Sequence, residues 1–134
     1  MATVSTTISL SSAAGDLTSN ALTLSDSVAI TAGNTTGLAR RPITSTAKAT
    51  ASGQVTIYTA DDFAAIAYIY IKNTDATATD YIYVYDDTTT GDPVILKLAG
   101  GDWAFLPTIA DKTLKAYATT SGTIIESMVF GTDQ

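Results

Sequence analysis

The chain alternates. From Ala67 to Asp87 it reads AYIYIKNTDATATDYIYVYDD, with Ala67, Ile69 and Ile71 on one side of a strand and Tyr68, Tyr70 and Lys72 on the other. Then Ile82 and Val84 oppose Tyr81, Tyr83 and Tyr85. Between the two runs lies a polar, Thr-rich segment, Asn73 to Asp80, with nothing apolar larger than alanine. The pattern predicts an antiparallel hairpin with a rather long exposed loop, carrying five of the seven tyrosines in one row.

The same period runs through most of the chain. Val4, Ile8 and Leu10 share one face of a predicted strand over 4–10. Leu22, Leu24, Val28 and Ile30 make a second even-numbered set, interrupted by Ser25-Asp26-Ser27, which predicts two short strands or one with a bulge. GNTTGLARRP, residues 33–42, reads as a loop on its Gly, Asn and Pro content. QVTIYT (54–59) and VILKLA (94–99) read as strands, and Asp61-Asp62-Phe63 as a turn or a short helical start. WAFLP follows a Gly-Gly-Asp turn; the tendency of large aromatics to bury favours Trp103 and Phe105 as a core plug over a ligand shelf. Segments 113–118 and 123–130, separated by Thr119 to Gly122, are a second candidate hairpin. Eight to ten short strands with no helix predict an all-β chain, an antiparallel sandwich of jelly-roll type or a small barrel. A length of 134 residues suits one domain, with residues 1–50 as an extended N-terminal part that contacts neighbours.

Composition narrows the function. Charged residues are only 15% of the chain and 25 of its 134 residues are Thr, a surface suited to packing against neighbours. The net charge of −6 supplies no basic stripe, so nucleic acid is excluded as an expected partner. Residues 1–50 carry +1 (Arg40, Arg41 and Lys48 against Asp16 and Asp26) and the remainder −7, an asymmetry that could orient copies head to tail. Histidine and cysteine are both absent, which removes Ser-His and Cys-His nucleophiles, imidazole metal sites and disulfides. No apolar run approaches a membrane span, and MATVSTTISL is unlike a signal peptide, so the expectation is synthesis in the cytosol and no membrane partner.

The remaining chemistry is thin. Asp61-Asp62 and Asp86-Asp87 are neighbours on extended chain and point to opposite faces, whereas a glycosidase needs two acids across a cleft. The expectation is that the chain is not an enzyme. Asp86, Asp87 and Asp92 offer hard oxygens for calcium without EF-hand spacing, and turn capping by Asp is the alternative. Arg40 and Arg41, the one adjacent basic pair, read either as solvated loop charges or as a contact arm for an acidic groove on a neighbour. The tyrosines Tyr68, Tyr70, Tyr81, Tyr83 and Tyr85 read as half-buried cross-strand pairs, as a subunit interface, or as a sugar-stacking platform. The interface reading takes Arg40, Arg41 and these tyrosines as its contact residues.

The order YIYIKNT, a Thr-rich loop, a second alternating strand, GDWAFLP and a closing strand resembles small β-rich virion structural proteins of tailed bacteriophages, particularly those of cyanobacteria and marine bacteria. The similarity covers about residues 66–130, and TVSTTISLSS with LTLSDSVAITAG looks like the opening of the same proteins. The resemblance implies a non-enzymatic capsid decoration, or cement, protein on the virion surface. Its implied partners are the major capsid protein and further copies of itself, often as a trimer, and it implies no cofactor. A head-tail connector, tail or fibre component is the alternative within that class, and a carbohydrate-binding or adhesive β module the alternative outside it.

Overall fold

The computed structural model describes residues 2–15, 21–60, 62–88, 91–109 and 111–132, and it forms two compact units, residues 1–32 and 33–134. All regular structure in it is β, and every sheet is antiparallel.

The first unit is one ribbon. Strands β1 (Ala2–Ser12) and β2 (Leu22–Ala32) pair over eleven positions, from Ala2 opposite Ala32 to Ser12 opposite Leu22, with no shift in register. The break expected at Ser25-Asp26-Ser27 is absent. Backbone pairing does not depend on side-chain polarity, so Asp26 simply takes its turn on the even-numbered face opposite Ile8.

The second unit is an antiparallel β-sandwich. One sheet has the order β5 (Val55–Tyr58), β10 (Leu114–Ala118), β7 (Ile82–Asp86), β8 (Val94–Leu98). The other runs β11 (Thr123–Gly131), β6 (Ile66–Asn73), β9 (Trp103–Ile109), with β3 (Asn34–Thr35) and β4 (Ala39–Ile43) both paired to the free side of β11. Residues 33–42 were expected as a loop and are mostly strand. Pro42 is tolerated because β4 pairs on one side only, which leaves its missing N–H where no ladder bond is needed.

The core lies between the sheets. Ile43, Ala67, Ile69, Ile71, Ile125 and Val129 of one sheet meet Val55, Ile57, Ile82, Val84, Leu98, Leu114 and Ala116 of the other, each almost fully buried. These are the inward positions of the period-two pattern, so the alternation did locate the core.

It did not locate the strand partners. β6 and β7 do not pair: β6 lies between β11 and β9, and β7 between β10 and β8. The predicted hairpin from Ala67 to Asp87 is an arch that crosses from one sheet to the other. The second predicted hairpin is also an arch, since β10 and β11 belong to different sheets. Of the links after β4, only β7–β8 stays within a sheet. An inward-facing strand has the same side-chain pattern whichever sheet it joins, so period alone cannot separate a hairpin from an arch.

Buried polar groups mark the crossings. Asn73 is fully buried at the end of β6, and its Nδ2 donates to the carbonyls of Asp80 (2.6 Å) and Leu98 (3.1 Å). Its backbone N–H donates to Asp102 O, and its carbonyl accepts from Gly101 N–H. One residue thus ties the β6–β7 arch to the β8–β9 arch. Gly100 sits where they touch, since a Cβ there would lie 2.3 Å from Thr77 O.

Candidate functional site: two aromatic faces

Because β6 and β7 belong to opposite sheets, the five hairpin tyrosines do not form one row. Tyr68 and Tyr70 stand on the outer face of the five-stranded sheet, while Tyr81, Tyr83 and Tyr85 stand on the outer face of the four-stranded one. The sandwich therefore presents two aromatic faces, back to back.

On the five-stranded sheet the register aligns Met128, Tyr70 and Phe105 in one row and Phe130, Tyr68 and Pro107 in the next. Tyr68 stacks on Phe105 (centroids 6.2 Å apart) and on Phe130 (5.8 Å), within the range of favourable offset pairs. Trp103, opposite Lys72, is 55% exposed. It was expected as a core plug with Phe105. Its outward position on an edge strand, set by the pairing of Ala104 with Ile71, puts the indole outside the sandwich instead.

A charged network closes one side of this face. Arg40 Nε donates to Glu126 Oε2 at 2.6 Å, and the Tyr70 hydroxyl donates to Glu126 Oε1 at 3.0 Å. These bonds, Arg40 first, hold the Glu126 carboxyl below its ordinary range. Burial, reinforced by the hydrogen bond to Glu126, raises the Tyr70 phenol. Arg41 turns the other way. Its Nη1 donates to Thr56 O at 2.7 Å and its Nη2 to Ser127 Oγ at 3.3 Å, which bridges the two sheets, and burial lowers its pKa. The adjacent arginines, expected as one contact arm, divide because neighbours on a strand point to opposite faces. Arg40 is left at the outer surface, and Arg41, half-buried, reaches across to the other sheet.

The face on the four-stranded sheet is a tyrosine ladder. Tyr83 stacks on Tyr117 at 5.0 Å, Tyr81 and Tyr85 flank them, and Lys97 Nζ lies 3.9 Å from the Tyr81 ring centroid. Tyr85 is buried; its hydroxyl donates to Gln54 Oε1 at 2.7 Å, and burial is the leading cause that raises its phenol. Tyr81, Tyr83 and Tyr117 are half-buried. The sequence reading missed Tyr117 and Lys97, although Lys115-Ala116-Tyr117 carries the same alternation. It missed Phe130 and Met128 for the same reason: their neighbours come from strands distant in sequence.

The acidic turn is tied up by lysines. Asp86 pairs with Lys112 (3.5 Å), Asp87 with Lys115, and Asp92 with Lys48 (3.9 Å). Asp86 Oδ1 also accepts from Thr88 N–H, the turn-capping alternative to a calcium ligand. Among the described residues no group of three or more acidic side chains is placed to hold a metal ion. Asp61 lies outside the described residues, and Asp62 caps a turn by accepting from Thr59 N–H.

Comparison with protein-family models, with curated proteins and with solved structures finds no match.

Proposed function

We propose that this chain is a structural protein of a bacteriophage particle, a capsid decoration protein that sits on the outside of the shell and bridges neighbouring subunits. The observation that carries the proposal is the pair of aromatic faces on opposite sides of one sandwich. A module with one such face can bind a partner; a module with two can tie two partners together. Tyr, Phe, Trp, Met and Arg are the residues enriched where proteins meet, and a surface poor in charge is the kind least penalised by permanent burial. The resemblance of residues 66–130 to phage virion proteins is the second support for this reading. The partners proposed are the major capsid protein and further copies of the chain, as a trimer, and the proposed action is cohesion without catalysis or cofactor. A connector, tail or fibre position would use the same two faces elsewhere in the particle.

The test is to mix the purified chain with shells of its source phage that lack it, count bound copies, and heat the product. High, fixed copy number and a raised opening temperature are expected, because a ligand of the assembled state stabilises that state. Tyr83→Ser should weaken binding while the fold persists. A chain that stays monomeric and ignores the shells overturns the proposal. The exposed Trp103 beside Lys72 favours a second reading, a carbohydrate-binding face, and a glycan array would then decide it.

A further inference from the structure

One peptide bond in the turn between β7 and β8 is clamped from both sides. Asp92 has φ +42°, the one positive φ at a non-glycine position among the described residues, and the next residue is Pro93. A residue before proline is pushed toward extended backbone, and an L-residue enters the left-handed region against its own Cβ, so the position is strained on two counts. Such strain persists only where the surroundings impose it, and it gathers at reacting sites. Here Lys48 Nζ donates to the carbonyls of Gly91 (2.9 Å) and Asp92 (3.0 Å) and lies 3.9 Å from Asp92 Oδ2. On the far side of the bond, Pro93 O accepts from Asp86 N–H at 3.1 Å. Lys48 is anchored in turn, its carbonyl accepting from Gln54 Nε2 at 2.7 Å.

We infer that this turn is a self-cleaving site, in which the Asp92 carboxylate and the Lys48 ammonium together hydrolyse the Asp92–Pro93 bond. A side-chain oxygen of Asp92 attacks the carbonyl carbon of the same residue and closes a five-membered ring. The negative charge gathers on the carbonyl oxygen to which Lys48 already donates, so the cation stands where an oxyanion forms. The C–N bond then breaks. The Pro93 nitrogen takes one proton from solvent and leaves as a secondary amine, and Asp92 is left as a cyclic anhydride. One water opens the anhydride and gives Asp92 two carboxyl groups, its own and a new chain end. Nothing but water is consumed.

Proline decides the route. At another Asp–X bond the following backbone nitrogen attacks the side chain and the chain isomerises through a succinimide; Pro93 has no N–H, so that path is closed. Its nitrogen is also more basic than that of a secondary amide, which eases its departure. Pro42 follows Arg41 and Pro107 follows Leu106, so Asp92–Pro93 is the one bond of this kind in the chain. Gly91 and Pro93 are exposed, so water reaches the anhydride. Breaking the bond also frees Asp92 from the proline ring and relieves the strain. The two pieces stay together, because β8 remains paired with β7 from Leu98 opposite Ile82 to Val94 opposite Tyr85, and residues 93–134 supply strands to both sheets. The cut is therefore silent until the chain is unfolded. This chemistry does not rest on shell binding.

The test uses the full chain. Folded protein is held in mildly acidic buffer, sampled over days, denatured, and weighed by mass spectrometry for the pieces 1–92 and 93–134; the same chain in urea at the same pH is the reference. The folded chain is expected to cleave about tenfold faster than the unfolded one, which is less than the roughly 10²–10³ of a buried oxyanion donor because Lys48 and Asp92 are only half-buried. Lys48→Met keeps the apolar stem and loses the cation, so its folded rate should fall about tenfold, to that of the unfolded parent. Asp92→Asn, which left-handed backbone tolerates, should give no pieces in the same period. Equal rates for the folded and unfolded parent would overturn the inference. So would parental cleavage by Asp92→Asn, or by Lys48→Met with parental circular dichroism.

Discussion

The Asn73 side chain donates to the carbonyl of Asp80, seven residues further along the chain, at 2.6 Å. That bond closes the arch which sends Tyr68 and Tyr70 to one face of the sandwich and Tyr81, Tyr83 and Tyr85 to the other. The second donor hydrogen of the same amide reaches Leu98 O at 3.1 Å. Asn73→Leu keeps the volume and removes both donors, leaving two carbonyls short of a partner beside a fully buried site. Its expected cost is about 2–4 kcal/mol, since an orphaned buried acceptor costs about 1–3 kcal/mol. Urea denaturation followed by tryptophan fluorescence measures it, and a loss below about 0.5 kcal/mol would show that the arch closes without Asn73.

Gly100 and Gly101 adjoin in the same turn and should respond for different reasons. A Cβ on Gly100 would lie 2.3 Å from Thr77 O and 2.7 Å from Thr77 C, both backbone atoms, so Gly100→Ala must push the two arches apart. Overpacking of this kind costs about 1–3 kcal/mol. Gly101 has φ +87° and open space around it, so Gly101→Ala meets only the backbone penalty of about 1–2 kcal/mol. Crystal structures of the two variants separate the cases: displacement of residues 75–77 is expected for the first and not for the second.

Glu126 sets an acid limb of stability. Its carboxyl is held below the ordinary 4.5 by Arg40 and then by Tyr70. A depressed carboxylate contributes stability that is fully present above its unfolded value and lost as pH falls through the folded one. Glu126→Gln should therefore be less stable than the parent at neutral pH, with the gap closing below about pH 4.5 as the parent's carboxylate is protonated. Thermal melts of both proteins across that range test this, and a gap independent of pH would place the cost in packing.

The alkaline limb belongs to tyrosine. Burial, the leading cause in each case, raises Tyr58, Tyr70, Tyr85 and Tyr117 above the ordinary 10.0. For these groups the fold favours the neutral phenol, so their contribution is present below about pH 10 and is lost as pH rises through the folded values. Phenolate absorbance should show these tyrosines ionising together with unfolding, and Tyr117→Phe should shift the transition to higher pH. An alkaline transition unmoved by that substitution would assign it to other groups.

Strand positions and faces were legible in the sequence because they depend on local alternation. The cores of β5, β6, β7, β10 and β11 fell on the inward positions that the pattern marks, and the exclusion of helix held. The strand character of Arg40 and Arg41 was not legible, since Gly, Asn and Pro nearby are turn formers and only pairing with residues 123–127 overrides them. Nor was the exposure of Trp103, which follows from an outward position on an edge strand and not from its own hydrophobicity.

The sequence by itself determined an all-β chain, the sides of β5, β6, β7, β10 and β11 that face the core, and a composition poor in charge with no histidine or cysteine. Only the tertiary structure decided which strands are partners, because a period of two specifies a face and is silent about the neighbour across the hydrogen bonds. That decision turned one predicted row of tyrosines into two opposed aromatic faces and divided Arg40 from Arg41. It also recruited Phe130, Met128, Tyr117 and Lys97 from strands far along the chain.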